Sequence, residues 1–242
     1  MPEGPSIVIL KEEVAAFAGK KVIEASGNAK IDMDRMIGKK IIAFKSWGKH
    51  FLICFPDFAV RVHFLLFGTY RVNEVKDSLT RLHLGFSKGE INFYTCAIKI
   101  IDQPLDEVYD WTADVMNEAY DPKKAMAKLN KIPNTLVCDA LLNQDIFAGS
   151  GNIIKNEVLF RIKVHPRSKV GDLSLKKKKE LISETVIYSF DFLKWKKAFE
   201  LKKHWLAHTK KMCPRCNIPL IKEYMGTTKR RTFFCNNCQI LY

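Results

Sequence analysis

The pattern of apolar and polar positions changes along the chain, and the first part predicts a helix followed by a sheet. Apolar residues recur at helical spacing in residues 7–18, and Gly19 is expected to end this helix. They are Ile7, Leu10, Val14 and Phe17. From about residue 21 to residue 101 the pattern becomes short alternating or apolar runs separated by glycines and polar turns, such as "HFLICF" and "AVRVHF". Such runs are typical of an antiparallel sandwich or barrel.

From about residue 105 to residue 206 the pattern is helical. Asp121-Pro122 and Pro133-Asn134 both predict helix starts, because proline is favoured in a first turn. Residues 134–160 read as a helix, a Gly-rich turn at 148–151 and a second helix, and residues 175–206 as one or two more. We therefore predict an α+β chain with a β-sandwich domain in residues 1–104, a helical domain in 105–208 and a cysteine-rich module in 209–242.

Charge is unevenly distributed between the two parts of the chain. Residues 1–150 hold 19 Lys+Arg and 19 Asp+Glu, whereas residues 151–242 hold 21 and 7, so the whole net charge of +14 lies in the second part. This segregation favours a polyanionic partner, because lysines and arginines that neutralise phosphates release counterions. The run Lys176-Lys177-Lys178-Lys179 is expected to begin a helix, with a solvated basic face or a nuclear-import tag as its two interpretations.

Other classes of protein are disfavoured by composition. No apolar run reaches the ~20 residues of a membrane helix, and the first residues do not resemble a secretory signal. Seven cysteines are an odd number for a disulfide framework, so we expect a reducing, intracellular compartment.

Four cysteines have metal-ligand spacing. "CPRC" and "CNNC" form a C-x2-C-x18-C-x2-C pattern, which predicts one structural Zn²⁺ held by Cys213, Cys216, Cys235 and Cys238. Four protein ligands complete a tetrahedral coordination shell and leave no position for a catalytic water, so this metal is expected to have a structural role. The remaining cysteines have apolar neighbours and are expected to be inert core residues. They are Cys54, Cys96 and Cys138.

Three further motifs could bind phosphate. "TTKRRTFF" predicts a hairpin in which Arg230 and its neighbours match phosphate oxygens, or else are solvated turn charges. "GSGNIIKNE" predicts a Gly-rich turn leading into a helix N-terminus, where Asn152 would cap the helix or contact phosphate. "WGKHF" places Lys49 at a strand edge, where taken alone it reads as a surface lysine.

The first residues, "MPEGPSI", leave two interpretations open. If Met1 is removed, Pro2 becomes a secondary amine beside Glu3, and such an amine can act as a nucleophile. Ordinary chain-end residues are the other interpretation.

These pieces, in this order, resemble the formamidopyrimidine-DNA glycosylase/endonuclease VIII family. The resemblance covers essentially the whole chain and depends on four markers: Pro-Glu-Gly-Pro, the Gly48-Lys49 pair, "GSGN" with Glu157 five residues after Asn152, and a four-cysteine finger with Arg230 five residues before its third cysteine.

The resemblance implies a helix-two-turn-helix domain, a zinc finger and a bifunctional DNA glycosylase/AP lyase of base excision repair. Pro2 would form a Schiff base with C1′ of the damaged nucleotide, Glu3 would move protons, and the strand would be cut by β,δ-elimination. Lys49, Asn152 and Arg230 would hold phosphates, with Lys49 and Arg230 in the catalytic set. The expected partner is damaged DNA and no membrane, and the expected state is a monomer at DNA inside the cell, in the cytoplasm or nucleus.

The void-filling segment bears on which damage is preferred. Leu65-Leu66-Phe67 resembles the endonuclease VIII pattern, although Leu65 and Leu66 could instead be strand core. The Asp-Pro-Arg-Arg-Phe-Gly signature of the purine-directed branch does not occur, so oxidised pyrimidines and ring-opened purines are expected over 8-oxoguanine. Two departures put base choice and local capping in question, namely Ser6 in place of a glutamate and Asn143 in place of an aspartate.

Two rival functions remain at this stage. One is a zinc-finger DNA-binding protein without enzymatic activity. The other is an AP lyase that does not excise bases.

Overall fold

The structure is a computed structural model that describes residues 2–242. It divides into two compact units, unit 1 (Met1–Asp110) and unit 2 (Trp111–Tyr242). Both helices and antiparallel strands are present, so the predicted α+β class is confirmed. The division into residues 1–104, 105–208 and 209–242 stays a prediction. Within residues 2–242, none of the helices combines the length and the apolar character that crossing a bilayer requires.

Unit 1 consists of one longer helix, two four-stranded sheets and a short closing helix. The helices are α1 (Gly4–Glu13) and α2 (Leu105–Val108). The strands are β1 (Glu24–Ser26), β2 (Ala43–Trp47), β3 (His50–Cys54), β4 (Ala59–His63), β5 (Thr69–Val72), β6 (Thr80–Gly85), β7 (Glu90–Tyr94) and β8 (Ala97–Ile101). One sheet has the order β1-β6-β7-β5 and the other β2-β3-β4-β8, and every pairing is antiparallel.

One apolar core joins α1 to both sheets. Alternation places Phe51 and Ile53 of β3 in this core, opposite Val62 and Val60 of β4, while Arg61 lies on the other face of the sheet. All four apolar residues that predicted the first helix are buried in the same core. The α-helix itself ends at Glu13, and a 3₁₀ turn over Ala15–Phe17 completes the predicted segment. The sandwich prediction is therefore confirmed, although β8 was not predicted as a separate strand.

Unit 2 is mainly helical and ends in a two-stranded hairpin. Its helices are α3 (Pro122–Asn130), α4 (Val137–Ala140), α5 (Asn152–Arg161) and α6 (Leu175–Lys197), and its strands are β9 (Ile221–Met225) and β10 (Arg230–Phe234). The helix start predicted at Asp121-Pro122 is confirmed, and the carboxylate of Asp121 caps α3 by accepting the N–H groups of Lys123 and Lys124. The helix start predicted at Pro133-Asn134 is wrong.

The backbone explains why α4 begins later than predicted. Leu136 is extended and forms a β-bridge with Lys169, and the N–H of Val137 donates to the carbonyl of Ser168. This tertiary pairing holds the residues after Pro133 away from helical geometry until Val137. Local sequence could not reveal a partner located more than thirty residues away.

Candidate functional site

The first residues of the described chain are packed into unit 1. Pro2 is half-buried, whereas the side chain of Glu3 is fully buried and precedes the first residue of α1. The Glu3 backbone is extended (φ −118°, ψ 173°), and its carbonyl accepts the N–H of Ser6 at 2.8 Å. Pro5 lies in the first turn of α1, where its ring favours helical geometry. The carboxyl group of Glu3 and the ring of Pro2 are thus held beside the N-terminus of α1, where the helix dipole favours negative charge.

Lys49 lies in the two-residue turn between β2 and β3. The last paired residues of this hairpin are Trp47 and His50, and Gly48 occupies the first turn position with φ 52°, where its missing Cβ avoids strain. The sequence placed Lys49 at a strand edge, and the structure places it one step further, in the turn itself. α1 packs against both strands of the hairpin.

Aromatic and imidazole rings surround the base of this turn. The ring of His50 lies 5.6 Å from that of Trp47 and 5.2 Å from that of His63. Burial lowers the pKa of His50 to about 3, helped by the positive charges of Arg61, His63 and Lys49. A neutral imidazole next to Lys49 does not add charge at neutral pH, so lysine supplies the cation of the hairpin tip.

Leu65, Leu66 and Phe67 lie between β4 and β5 in a turn that projects them into solvent. They are 50%, 44% and 80% exposed, and Leu65 has φ 53°. The N–H of Gly68 donates to the carbonyl of Phe64 at 2.8 Å, and a Cβ on Gly68 would lie 2.3 Å from that oxygen. Glycine therefore permits the tight closure that pushes the three side chains outward. The strand-core interpretation of Leu65 and Leu66 is excluded.

The Gly-rich turn between α4 and α5 is held by side-chain amides. Gln144 donates to the carbonyl of Ser150 at 3.1 Å and accepts the N–H of Gly149 at 3.1 Å. Asn143 accepts the N–H of Asp145 at 2.9 Å through Oδ1. An aspartate at position 143 could accept the same bond, so the departure noted in the sequence leaves this local contact intact.

Asn152 joins the start of α5 to the C-terminal hairpin. Gly151 is the N-cap residue of α5, so the capping role proposed for Asn152 is wrong. The Nδ2 of Asn152 instead donates to the carbonyl of Arg231 at 2.9 Å, and Oδ1 is buried without a hydrogen-bond partner among the described residues. Arg230, half-exposed, begins β10 opposite Met225. The structure thus places Asn152 against the segment of β10 that contains Arg230 and Arg231.

A buried polar layer behind this junction was missed by sequence reasoning. Nζ of Lys155 donates to Oγ1 of Thr232 at 2.8 Å, and Oδ1 of Asn156 accepts the N–H of Phe233 at 3.2 Å. The carboxylate of Glu157 accepts N–H groups from Leu206, Ala207 and His208 at 2.7–2.9 Å. The only sequence signal is the triplet Lys155-Asn156-Glu157 within an otherwise apolar helix. The triplet shows polar character but not burial, which depends on residues 206–208 and 232–233 far along the chain.

A second contact fixes the tip of the hairpin. Asp139 of α4 accepts the N–H of Thr227 through both carboxylate oxygens, at 3.1 and 3.0 Å. Gly226 has φ 75°, and a Cβ there would lie 2.0 Å from Oδ1 of Asp139. The hairpin predicted from "TTKRRTFF" is therefore present, and α4 and α5 position it from two sides.

Four cysteine side chains meet at the base of the hairpin and can bind a metal ion. The Sγ atoms of Cys213, Cys216, Cys235 and Cys238 all lie within 4.8 Å of one another. Sγ of Cys213 and Sγ of Cys238 are 3.7 Å apart, close to the roughly 3.8 Å edge of a tetrahedron with metal–sulfur bonds of about 2.3 Å. The amide of Asn237 donates to Sγ of Cys216 at 3.2 Å, which stabilises a thiolate.

The other three cysteines are buried and unsuited to reaction. Burial raises the pKa of Cys96 to about 12 and that of Cys138 to about 11, and it also raises the pKa of Cys54. Each thiol therefore stays protonated at neutral pH, in agreement with the expected inert core role.

Unit 1 is a helix and a β-sandwich, and unit 2 combines helices with a four-cysteine hairpin. These features are those of a protein with a β-sandwich domain and a helical, metal-binding domain. Comparison with known sequences identifies the family. Residues 111–189 match the Formamidopyrimidine-DNA glycosylase H2TH domain. "Endonuclease 8-like 3" of Xenopus laevis is 27% identical over 241 residues, 94% of this chain and 39% of that protein. "Endonuclease 8-like 2" of Bos taurus is 32% identical over 197 residues, 74% of this chain and 58% of that protein. The chain belongs to the formamidopyrimidine-DNA glycosylase/endonuclease VIII family, on its endonuclease 8-like side.

Solved structures share the fold. Lactococcus lactis formamidopyrimidine-DNA glycosylase, non-covalently bound to DNA that contains an AP site, has a TM-score of 0.85 at 22% identity, over 98% of this chain and 99% of that one. A viral DNA glycosylase has a TM-score of 0.85 at 20% identity, over 98% and 100%. The chain spans about two fifths to three fifths of the length of the first curated relatives.

Proposed function

We propose that this protein is a bifunctional DNA glycosylase/AP lyase of base excision repair whose nucleophile is the amine of Pro2 after removal of Met1. The observation that carries the proposal is the burial of Glu3 directly after Pro2, at the start of a helix anchored on the Lys49 hairpin. Carboxylates are rarely fully buried, so the complete burial of Glu3 indicates a specific role. Membership of the family supports the same interpretation.

The chemistry suits a terminal amine. An α-amino group titrates near ~7.7–8.0 against ~10.4 for lysine, so far more of it is neutral and nucleophilic at pH 7. Its lone pair forms the bond to C1′ of the nucleotide as the C1′–base bond breaks and the base departs with a proton. Loss of the amine proton and cleavage of the C1′–O4′ bond, with O4′ protonated, then leave an iminium ion. The iminium accepts the electrons released by loss of a C2′ proton, so the 3′ phosphate can leave by β-elimination. Loss of a C4′ proton then allows the 5′ phosphate to leave by δ-elimination. Glu3 is the group placed to protonate the sugar oxygen and to move these protons.

Three cationic or amide groups are proposed to hold the phosphates around the extruded nucleotide. Lys49 presents a charge from a hairpin tip, and Asn152 bonds to the carbonyl of Arg231, the residue after Arg230 in β10. Buried amides and charge-assisted hydrogen bonds position a phosphate more strictly than exposed side chains do. Damaged DNA is accordingly the proposed partner, bound by the chain as a monomer inside the cell.

The metal of the four-cysteine site is proposed to be one structural Zn²⁺. Four thiolate donors with a tetrahedral edge fit zinc and close its coordination shell. Zinc would stabilise the hairpin that carries Arg230 and would take no part in the reaction.

The resemblance of the Leu65-Leu66-Phe67 turn to the endonuclease VIII pattern supports oxidised pyrimidines as the preferred damage. Leu65, Leu66 and Phe67 project from a glycine-closed turn, as wedge residues that fill the space of an extruded base must do. Their arrangement resembles the endonuclease VIII pattern.

Trapping with borohydride tests the proposal. Processed protein that begins at Pro2 is incubated with an abasic duplex and sodium borohydride, which reduces an iminium to a stable amine. We expect a covalent adduct whose DNA-linked peptide starts at Pro2 by mass spectrometry. The matched control carries one extra residue before Pro2 and should give less than a hundredth of the adduct. An equal yield from the blocked protein, or no adduct from the processed one, would refute the proposal.

Ser6 favours a second candidate, an AP lyase without base excision. Its N–H bonds to the carbonyl of Glu3, so this position adjoins the proposed proton donor and lacks the second carboxylate of many relatives. A thymine-glycol duplex separates the two functions. Adduct on abasic DNA alone supports the lyase, and adduct on both duplexes supports the glycosylase/lyase.

A further inference from the structure

α6 carries apolar side chains on two faces, and part of the second face is exposed. Leu181, Tyr188 and Phe192 are buried in the main core of unit 2. Leu175 and Ile187 belong to the other face and are 61% and 52% exposed. A stable surface helix normally solvates its second face with polar groups, so exposed aliphatic side chains there suggest a binding surface.

This second face of α6 and the first turns of α3 form an apolar groove of about 630 Å³. Its lining residues are Tyr120, Pro122, Lys123, Met126, Leu175, Lys179, Ile182, Ser183, Val186 and Ile187. The α6 positions repeat at intervals of four, three and one residues, so they lie along a single stripe. The stripe from Leu175 to Ile187 is roughly 18 Å long, which equals about three helical turns.

The charged residues that line the groove are both lysines, so the groove has a positive edge. Lys123 and Lys179 line it, neither ammonium group has a hydrogen-bond or ion-pair partner among the described residues, and no acidic residue is part of the lining. Within the lysine run of α6, by contrast, Lys177 is engaged with Glu180 and with the carbonyl of Ile162, and Lys178 with Asn130. The lysines of this run thus differ in their surroundings, and Lys179 is the one that lines the groove.

Shape and charge together select one class of occupant. A trough of aliphatic side chains with the length of three helical turns fits the apolar face of an amphipathic helix. Lysines at its edge favour carboxylates beside the apolar anchors and disfavour a basic helix. A lipid surface is flat, and DNA phosphates would gain little from an apolar trough, so both fit less well.

We propose that the groove between α3 and α6 binds an acidic amphipathic helix of a partner protein, with apolar side chains at i, i+4 and i+7 in the trough and carboxylates facing Lys123 and Lys179. This surface is independent of the residues proposed to bind and cut DNA. It would join a repair enzyme to another protein while leaving the chemistry unaffected.

The test uses designed peptides as probes and the full chain as the receptor. A fluorescein-labelled 16-residue peptide carries leucine at i, i+4, i+7 and i+11 and mainly glutamate and alanine elsewhere, and its scrambled version keeps the composition but not the apolar face. Fluorescence anisotropy should show saturable binding of the first peptide, at least tenfold tighter than of the scrambled one. Ile187→Glu should weaken binding at least tenfold, and Lys179→Glu at least threefold.

Matched substitutions outside the groove serve as controls. Ile42, 60% exposed, and Lys30, also exposed, lie in unit 1, so Ile42→Glu and Lys30→Glu should change peptide binding less than twofold. Adduct formation on abasic DNA should be unchanged in Ile187→Glu, which shows that the variant is folded independently of peptide binding.

Several outcomes would overturn the proposal. Equal binding of both peptides, equal weakening in the groove and control variants, or displacement of the peptide by undamaged duplex DNA would indicate non-specific attraction to a basic protein. Concentration-dependent dimerisation, or binding to anionic lipid vesicles, that is abolished only in Ile187→Glu would assign the groove to a second copy or to a membrane instead.

Discussion

The carboxylate of Glu157 has a structural role, although it lies within the motif that suggested phosphate binding. Three backbone N–H groups from residues 206–208 donate to it, and burial raises its pKa. It holds the chain that leads from α6 to the cysteine hairpin against α5. A sequence shows the charge of such a residue but not its burial, which depends on a segment almost fifty positions away.

His208 belongs to the same layer and is held neutral. Its Nδ1 lies 3.0 Å from Nδ2 of Asn156, and burial, with the charges of Lys155 and Arg231, lowers its pKa to about 4. In the unfolded chain the pKa is near 6.5. Below pH 6.5 the unfolded chain therefore binds a proton that the folded chain does not bind until about pH 4. The stability that neutral His208 contributes above pH 6.5 is lost as pH falls through this window.

We predict that His208→Gln makes the stability of unit 2 less dependent on pH. Between pH 7 and pH 5.5 the natural protein should lose about 1 kcal/mol more free energy of unfolding than the variant, because glutamine has no proton to bind. Urea unfolding followed by tryptophan fluorescence measures the difference, and the two proteins should change in parallel between pH 8 and pH 7. Parallel curves at every pH would contradict the assigned protonation state.

At the scale of elements, periodicity was informative where a helix or strand has one buried face. The first helical face, the alternating strands, the helix start at Asp121-Pro122 and the cysteine hairpin were all predictable, because each depends on neighbouring residues. Predictions failed where a distant segment decides the structure. Pro133 did not begin a helix because Leu136 pairs with Lys169. Asn152 did not cap α5 because its amide bonds to the hairpin.

The β9–β10 turn depends on one glycine and one carboxylate. Gly226 combines φ 75° with close approach to Asp139, which accepts the N–H of Thr227. Gly19, in unit 1, has nearly the same φ, 79°, but open space where a Cβ would be. Alanine substitutions of Gly19 and Gly226 therefore separate the free-energy cost of the backbone conformation from the cost of the steric clash.

We predict that Gly226→Ala is the more harmful of the two substitutions. Gly19→Ala should cost about 1 kcal/mol through its left-handed conformation alone. Gly226→Ala should cost more than about 2 kcal/mol, because the turn must also move away from Asp139. A double-mutant cycle with Asp139→Ala checks the cause: in that background Gly226→Ala should cost no more than Gly19→Ala. Strict additivity of the two substitutions would exclude the clash as the reason.

At the scale of the whole molecule, the distribution of net charge and the division into apolar cores both follow the boundary between unit 1 and unit 2. Residues 1–110 hold 15 Lys+Arg and 14 Asp+Glu, whereas residues 111–242 hold 25 and 12, so nearly all of the net charge of +14 lies in unit 2. Unit 1 has its own core, and the cysteine hairpin has a small cluster that shares Phe160 with α5. Loss of the metal should therefore affect the basic unit and leave the fold of unit 1 intact.

The cysteine hairpin illustrates why a metal is needed for stability. Its cluster has five buried members, of which two are the proposed ligands Cys213 and Cys235 and one, Phe160, comes from α5. Arg215 packs on this cluster from outside, with its guanidinium 3.9 Å from the centre of the Phe160 ring. So small a core cannot hold β9 and β10 in place by burial alone, so metal–thiolate bonds should supply much of the remaining stability.

We predict that Cys213→Ser removes the zinc and weakens DNA binding at least tenfold, because Arg230 and Arg231 are then no longer held in position. Cations that neutralise phosphates release counterions, so the slope of log affinity against log salt should fall by about 0.9 for each phosphate that the variant leaves unneutralised. Elemental analysis measures zinc per chain, and anisotropy with a labelled duplex measures affinity at several salt concentrations. Cys54→Ser, in unit 1, should retain one zinc and the full slope. If a zinc-free variant bound DNA with unchanged affinity and slope, the hairpin would not contribute to phosphate binding. The basic residues of unit 2 that bind DNA would then have to lie on its helices.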